Sequence, residues 1–194
     1  MISAEIIKKL RESIGAGMND IKAALDEAGG DESKAIEILR KSGQKIAAKK
    51  ADRVTREGLI ESYIHSSGKI GVLVSVACET DFVARNEDFK TFVHELALQV
   101  AASAPQYLIP EQVPAEVIEK EKEIYREQLA KEGKTGEMAE KIMEGKLQKF
   151  YAEVCLLRQP YIKDDKVTIE HLLQELIGKI GENIQIKEFI RISL

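Results

Sequence analysis

Apolar residues recur every three or four positions in the first 43 residues, in runs centred on Leu10, Leu25 and Leu39. Ser3 precedes the first run, and Asp20 and Asp31 open the second and third, as helix-capping residues do. Glycines end all three runs: Gly15 and Gly17 the first, Gly29 and Gly30 the second, and Gly43 the third. The pattern predicts a minimal three-helix bundle over residues 1–43, with much of its surface free to bind a partner.

The next segment, residues 44–56, is rich in alanine and contains a single acidic residue. It predicts a helical connector with one basic face. A nucleic-acid-binding arm is the alternative, but the segment lacks the interleaved aromatic residues that stack on bases. A solvated linker helix is therefore the favoured interpretation.

From Gly58 the apolar period changes to two. Residues 58–65 and 70–78 alternate on either side of a short glycine-containing turn at residues 66–69, which predicts a β-hairpin. One face of its second strand is apolar throughout, with Val72, Val74, Val76 and Cys78. Residues 183–194 alternate again and predict a third strand.

Helical spacing returns between the hairpin and the last strand. Asn86 is placed to cap a helix whose buried stripe comprises Phe89, Val93, Leu96, Ala97 and Val100. Residues 115–133 and 136–157 predict a pair of long antiparallel helices, the second with a core-forming face of Met143, Leu147, Phe150, Val154 and Leu157. Thr168 caps a final helix that ends near Gly181.

These elements predict an α+β fold, since strands joined by a tight turn must be antiparallel. The predicted division is a helical module over 1–43, a linker over 44–56 and a core over 57–194. A three-stranded sheet has two open edges, and its last strand carries Ile184, Ile186, Ile190 and Ile192. Either that strand supports self-association or a helix covers it, and the sequence leaves both open.

Composition narrows the class of protein. The 194 residues are 44% hydrophobic and 32% charged, without tryptophan, which is typical of a soluble helix-rich protein. Neither a membrane span nor a signal peptide is expected, so the cytoplasm is the predicted location. The net charge of −4 argues against general nucleic-acid binding, although residues 1–56 carry 12 basic and 9 acidic side chains.

Candidate catalytic and ligand-binding patterns are weak. "EGKTG" at 132–136 lacks the earlier glycine of a phosphate-binding loop, and Gly15-Ala16-Gly17 follows a helix where a dinucleotide site follows a strand. The three histidines and two cysteines show no metal-ligand spacing. A nucleophilic Cys78–His94 pair is unsupported, so neither metal nor cofactor is expected and a binding protein is favoured over an enzyme.

The stretch "CETDFVARNEDF", residues 78–89, places an aromatic ring among polar residues at a strand-to-helix junction. Because connections run over the surface, Phe82 either tucks back beneath the loop or is received by another molecule. The residue types alone leave both possibilities open.

Two segments resemble the translation elongation factor Ts family: "LRESIGAGMNDIKAAL" at 10–25 and "CETDFVARN" at 78–86, supported by "QPYIKDD" and "IGENI". The resemblance spans the chain and implies a guanine-nucleotide exchange factor that binds the GTPase elongation factor Tu in its GDP form. It also implies a ubiquitin-associated (UBA)-like N-terminal module. The homodimer is predicted from the apolar last strand instead, and direct contact with nucleic acid is not expected from the net charge.

The resemblance also implies which residues act. The Thr-Asp-Phe-Val loop of the family enters the magnesium site of the GTPase, and these roles fall on Thr80, Asp81, Phe82 and Val83. The N-terminal signature implies a second set of partner-binding residues, namely Leu10, Arg11, Gly15, Gly17 and Met18. The alternative function is an interaction or scaffold protein that uses the helical module without nucleotide exchange.

Overall fold

The computed structural model describes residues 4–14 and 16–194 and has the predicted α+β architecture. Its α-helices are α1 (Ala4–Ile14), α2 (Met18–Glu27), α3 (Glu32–Lys50), α4 (Asp81–Ala84), α5 (Glu87–Ser103), α6 (Ala115–Lys131), α7 (Gly136–Val154) and α8 (Ile169–Ile180). Its strands are β1 (Glu57–Ile64), β2 (Ile70–Cys78), β3 (Pro160–Tyr161), β4 (Asp164–Thr168) and β5 (Gln185–Ser193). Single 3-10 turns occur at Pro110–Gln112 and Leu156–Arg158.

Helices α1, α2 and α3 enclose a small apolar core of their own, which confirms the predicted helices. Its buried members are Leu10, Ile21, Ala24, Leu25, Ala35 and Leu39. Gly17 is the N-cap of α2, so the predicted start at Asp20 is too late, and Asp20 lies in the first turn. Asp31 caps α3 as predicted, because its side chain accepts a hydrogen bond from the backbone N–H of Lys34 at 3.1 Å. The predicted cap Ser3 lies outside the described residues.

The predicted helix end at Gly43 is wrong, because α3 continues through it to Lys50. Gly43 instead marks the point where α3 crosses α8. A Cβ on Gly178 of α8 would lie 3.4 Å from the Cα of Gly43, so small residues here let the two helices approach closely. The alanine-rich segment after Gly43 favours helix, and the boundary predicted between residues 43 and 44 falls inside one continuous helix.

Strands β1, β2 and β5 form the predicted three-stranded antiparallel sheet, with β2 in the centre. Its inner face packs on α5, and residues of α8 join the same main core. This core contains the apolar face of β2 and the whole predicted stripe of α5. Asn86 caps α5 as predicted, accepting hydrogen bonds from the N–H groups of Asp88 and Phe89. Thr168 caps α8 by accepting a hydrogen bond from the N–H of His171.

The outer face of the sheet is apolar and exposed. A bulge where Ser75 and Val76 pair with β5 adds one residue to β5 and changes which side chains point inward. Ile184 and Ile186 are therefore buried, whereas Ile190 and Ile192 point outward. The exposed apolar residues of this outer face are Ile60, Ile64, Leu73, Ile190 and Ile192. No described helix covers them. Of the four isoleucines of the last strand, the alternative of helical cover therefore holds for Ile184 and Ile186, which lie in the main core, but not for Ile190 and Ile192.

Two features of the region between α5 and α8 differ from prediction. Helices α6 and α7 form a hairpin, but of the predicted core-forming residues only Val154 is buried, because α7 packs mainly on one neighbouring helix. Strands β3 and β4 form a small hairpin that the polar sequence does not predict. Buried Gln99 holds it: its side-chain nitrogen donates to the carbonyl of Pro160, and its oxygen accepts from the N–H of Ile162.

Gly58 lies against the backbone of β2, and replacing it with alanine is expected to destabilise the fold by about 2 kcal/mol or more. Its φ is 156°, and an added Cβ would lie 2.2 Å from the carbonyl oxygen of Val76. Gly145 of α7 is the matched control, because a Cβ there meets nothing within 4 Å. Gly145→Ala should stabilise by about 0.5–1 kcal/mol. Urea unfolding followed by circular dichroism tests the pair, and equal stability of Gly58→Ala and wild type would contradict the packing described.

Candidate functional site

The segment that connects β2 to α5 folds into the single helical turn α4, which carries the motif Thr80-Asp81-Phe82-Val83. Thr80 is the N-cap of this turn, and its hydroxyl oxygen accepts a hydrogen bond from the N–H of Val83 at 3.4 Å. A threonine followed by an acidic residue is the usual start of a helix. The motif therefore has a well-defined local conformation instead of an open loop.

Phe82 and Val83 lie on different sides of this turn. Val83 is buried in the main core, whereas the Phe82 side chain is 80% exposed. Adjacent residues of a helix are about 100° apart around its axis, so a buried Val83 directs Phe82 into solvent. The possibility that Phe82 tucks back beneath the loop is wrong, and the ring is free to contact another molecule.

Asp81 lies half-exposed beside Phe82. Its carboxylate forms an ion pair with the guanidinium of Arg85, with 3.1 Å between Oδ2 and the nearest nitrogen. Exposed pairs of this kind contribute at most about 1 kcal/mol, so Asp81 can exchange this partner at little cost.

The carboxylate of Glu182, in the turn between α8 and β5, binds the start of the motif. Its Oε2 accepts the backbone N–H groups of Glu79 and Thr80 at 3.1 and 3.0 Å. Its Oε1 accepts the hydroxyl hydrogen of Thr80 at 2.7 Å. Glu182 lies within the "IGENI" segment at residues 180–184, but no local sequence pattern marks it as a partner of Thr80.

The neighbouring residue Asn183 ties the same turn to the end of α3. Its side-chain amide donates to the carbonyls of Ala51 and Arg53 at 3.1 and 2.7 Å. Its backbone N–H donates to the Glu79 carboxylate at 2.6 Å, and Arg53 forms an ion pair with that same carboxylate. The 181–183 turn thus joins the helical N-terminal region to the segment that carries Phe82.

The N-terminal residues predicted to bind the partner differ in how exposed they are. Leu10 is buried within the small helical core, so its side chain supports the bundle. Arg11, Gly17 and Met18 are exposed at the end of α1 and the start of α2. Gly15 lies outside the described residues.

The Cys78 thiol is unsuited to nucleophilic chemistry. It is buried, and its pKa is raised to about 11. Burial is the larger cause of this rise, and the negative charge of the nearby Glu182 carboxylate is the second. Its sulfur donates to the carbonyl oxygen of Thr80 at 3.2 Å. His94 contacts Glu61 instead, with 3.0 Å between Nδ1 and Oε1. The proposed partner His94 is therefore engaged by Glu61 and forms no described contact with the thiol.

The raised pKa predicts that Cys78 is unreactive in the folded protein. At pH 8 a thiol of pKa about 11 is only about 0.1% thiolate, against about a quarter for free cysteine, so modification should be at least about 100-fold slower. Reaction with an aromatic disulfide reagent, before and after unfolding in urea, measures this difference. Modification of folded Cys78 at the rate of free cysteine would contradict the description of this site.

The described part of the chain contains no group of three or more His, Cys, Asp or Glu side chains placed to hold a metal ion. None of its helices combines the length and the apolar character needed to cross a membrane. What the site offers is an exposed aromatic ring on a tethered turn, an arrangement suited to binding.

Comparison with known proteins gives matches over the full length. The family model described as "Elongation factor TS" matches residues 3–194. The protein named Elongation factor Ts from Carboxydothermus hydrogenoformans is 55% identical over 194 residues, which cover 100% of this chain and 89% of that protein. The Elongation factor Ts of Fervidobacterium nodosum is 57% identical over 193 residues, covering 100% of this chain and 98% of the relative.

Proposed function

The chain belongs to the elongation factor Ts family, and on that premise we propose that it is the guanine-nucleotide exchange factor of elongation factor Tu. It binds the GDP form of this GTPase during translation elongation and promotes release of GDP by disturbing the magnesium site. It acts by binding, without catalysing a chemical reaction and without a cofactor of its own.

The exposure of Phe82 is the observation that carries this proposal. A large apolar ring that is 80% exposed gains free energy only when another surface buries it. If the receiving pocket in the GTPase exists only when the magnesium site is disturbed, that gain favours the disturbed state alone. Only such a differential interaction shifts a conformational equilibrium.

Phe82 cannot supply the whole effect. Burying one phenylalanine contributes about 1.5–3 kcal/mol, whereas inverting a 99:1 preference takes about 5.5 kcal/mol. Further contacts must come from elsewhere on the chain. We assign part of them to the N-terminal module, through Arg11, Gly15, Gly17 and Met18, with Leu10 as its internal support. The complete interface should bury about 1,200–2,000 Å² or more.

The other motif residues support Phe82 in different ways. Thr80 caps the turn, and the buried side chain of Val83 anchors it to the core. Asp81 would approach the GTPase together with the ring and place a negative charge near the anionic groups of the nucleotide site. Like charges in a partly desolvated site repel, so this charge disfavours retention of GDP.

We also propose a UBA-like fold for residues 1–43, an assignment supported by their three short helices around a separate core. We assign residues 57–194 to the core domain. The connecting segment, residues 44–56, begins within α3, and its Ala47 packs in the main core. As a translation factor the protein would act in the cytoplasm.

The outer face of the sheet is our proposed homodimer surface. Ile60 and Ile64 of β1, Leu73 of β2 and Ile190 and Ile192 of β5 make it apolar across all three strands. Leu73 pairs directly with Ile190, which places them at the middle of the patch. Continuous exposed apolar patches on soluble proteins usually mark contact surfaces.

Release of fluorescent GDP from elongation factor Tu, followed by stopped flow in excess unlabelled GDP, tests the exchange function. The wild-type chain should accelerate release in a concentration-dependent, saturable manner. Release at the spontaneous rate at every concentration, with the chain folded, would overturn the proposal.

A further inference from the structure

We infer that Glu182 is a positioning residue for nucleotide exchange: its carboxylate fixes the turn that presents Phe82. The inference rests on the exchange function proposed above. Glu182 does not belong to the Thr-Asp-Phe-Val motif and lies 102 residues after Thr80 in the sequence.

The backbone geometry explains why a carboxylate is needed here. The last residue of β2 paired with a neighbouring strand is Cys78, opposite Glu57. The N–H groups of Glu79 and Thr80 therefore lie beyond the sheet without a strand partner. A single carboxylate oxygen, Oε2 of Glu182, accepts both of them at 3.1 and 3.0 Å. Leaving these two half-buried N–H groups without an acceptor would destabilise this conformation of the segment.

The third hydrogen bond connects Glu182 directly to the cap of α4. When the Thr80 hydroxyl donates its hydrogen to Oε1 at 2.7 Å, its lone pairs remain available to the Val83 N–H. Glu182 thereby orients the hydroxyl in the state that caps the turn. Because the turn is only four residues long, loss of its cap would allow Phe82 to sample many directions.

The residues around Glu182 restrict its movement. Asn183 is buried and donates to Ala51 and Arg53 with its side chain and to Glu79 with its backbone. The Lys50 ammonium group also donates to the carbonyl of Gly181. The carboxylate thus projects from a turn that is itself fixed to the end of α3.

Glu182→Ala should lower the maximal rate of GDP release about tenfold. Without the tether, the turn that carries Phe82 loses conformational entropy when the ring is bound, and this loss opposes binding. The chain concentration that gives half the maximal rate should change by less than about threefold, because the remaining contact surfaces are intact. Glu182→Gln should recover most of the lost rate, since its amide oxygen can accept both N–H groups and its nitrogen can donate to Thr80. Glu144→Ala, on the exposed face of α7, is the matched control.

A double-mutant cycle separates positioning from general damage. In a Phe82→Ala background, Glu182→Ala should lower the maximal rate by less than about twofold further, because its effect passes through Phe82. Thr80→Val and Thr80→Ser provide a second pair if Glu182→Ala does not fold. The valine variant loses the hydroxyl and should be slower, whereas the serine variant keeps it and should recover most of the rate that the valine variant loses.

Hydrogen exchange of the Glu79 and Thr80 amides tests the geometry without the GTPase. Both amides should exchange at least about tenfold faster in Glu182→Ala and at the wild-type rate in Glu144→Ala. Any one of three results would overturn the inference. They are an unchanged maximal rate in Glu182→Ala, a double mutant whose loss of rate is the product of the two single losses, and unchanged exchange of the Glu79 and Thr80 amides in Glu182→Ala. If wild type failed to accelerate GDP release, the exchange function would fall, and the amides would still report whether Glu182 holds the turn.

Discussion

Phe82→Ala is expected to lower the maximal rate of GDP release from elongation factor Tu about 10- to 100-fold. This range corresponds to the loss of about 1.5–3 kcal/mol of burial that the wild-type ring gains only in the disturbed state of the GTPase. The free energy of unfolding should change by less than about 0.5 kcal/mol, because the ring is 80% exposed. Stopped-flow release of fluorescent GDP at saturating chain concentration measures the rate.

The control for this prediction is Met138→Ala on α7, which removes another exposed apolar side chain, 63% accessible to solvent. It should leave the rate and its concentration dependence unchanged. If Phe82→Ala retained the full maximal rate, the wedge mechanism would be excluded, although exchange by other contacts would remain. A matching loss in Met138→Ala would show that the effect is not specific to the turn.

Leu73→Lys is expected to convert the proposed homodimer into a monomer at tens of micromolar. Leu73 lies at the centre of the outer sheet face and is 47% exposed in the single chain. A two-fold symmetric contact would contain the substitution twice, so two ammonium groups would lose water in an apolar interface. We expect the dissociation constant to rise at least about 100-fold, measured by sedimentation equilibrium.

Met138→Lys adds the same charge on the exposed surface of α7 and should leave the dimer intact. A monomeric wild type at tens of micromolar would contradict the proposed dimer surface. So would a Leu73→Lys dimer of unchanged affinity, since a lysine at the centre of this face could not be accommodated without loss.

Local signals in the sequence predicted most of the fold. The period-two runs on either side of residues 66–69 gave the β-hairpin, and Asn86, Asp31 and Thr168 marked helix starts that the structure confirms. Helix caps and strand periodicity depend on residues that are close in sequence, so they can be read from one sequence. The helix end predicted at Gly43 was wrong because this glycine permits the close approach of α3 to Gly178 of α8. That contact is tertiary and leaves no local signal in the sequence.

The same distinction explains what the sequence revealed of the candidate site. The strand-to-helix junction and its motif were evident, but the direction of the Phe82 ring depended on whether Val83 or Phe82 enters the core. The tether from Glu182 spans 102 residues, and no local pattern predicts it. The β3–β4 hairpin was missed for a related reason, since buried Gln99 of α5 holds it in place.

The central claim is that the exposed ring of Phe82 prefers the emptied GTPase over the GDP-loaded one. Isothermal titration of wild type and Phe82→Ala against nucleotide-free and GDP-bound elongation factor Tu measures this preference directly. We predict that the substitution weakens binding to the nucleotide-free form about 10- to 100-fold and binding to the GDP form by less than about threefold. Equal weakening of both complexes would contradict the account, because a contact made equally in both states cannot drive nucleotide release.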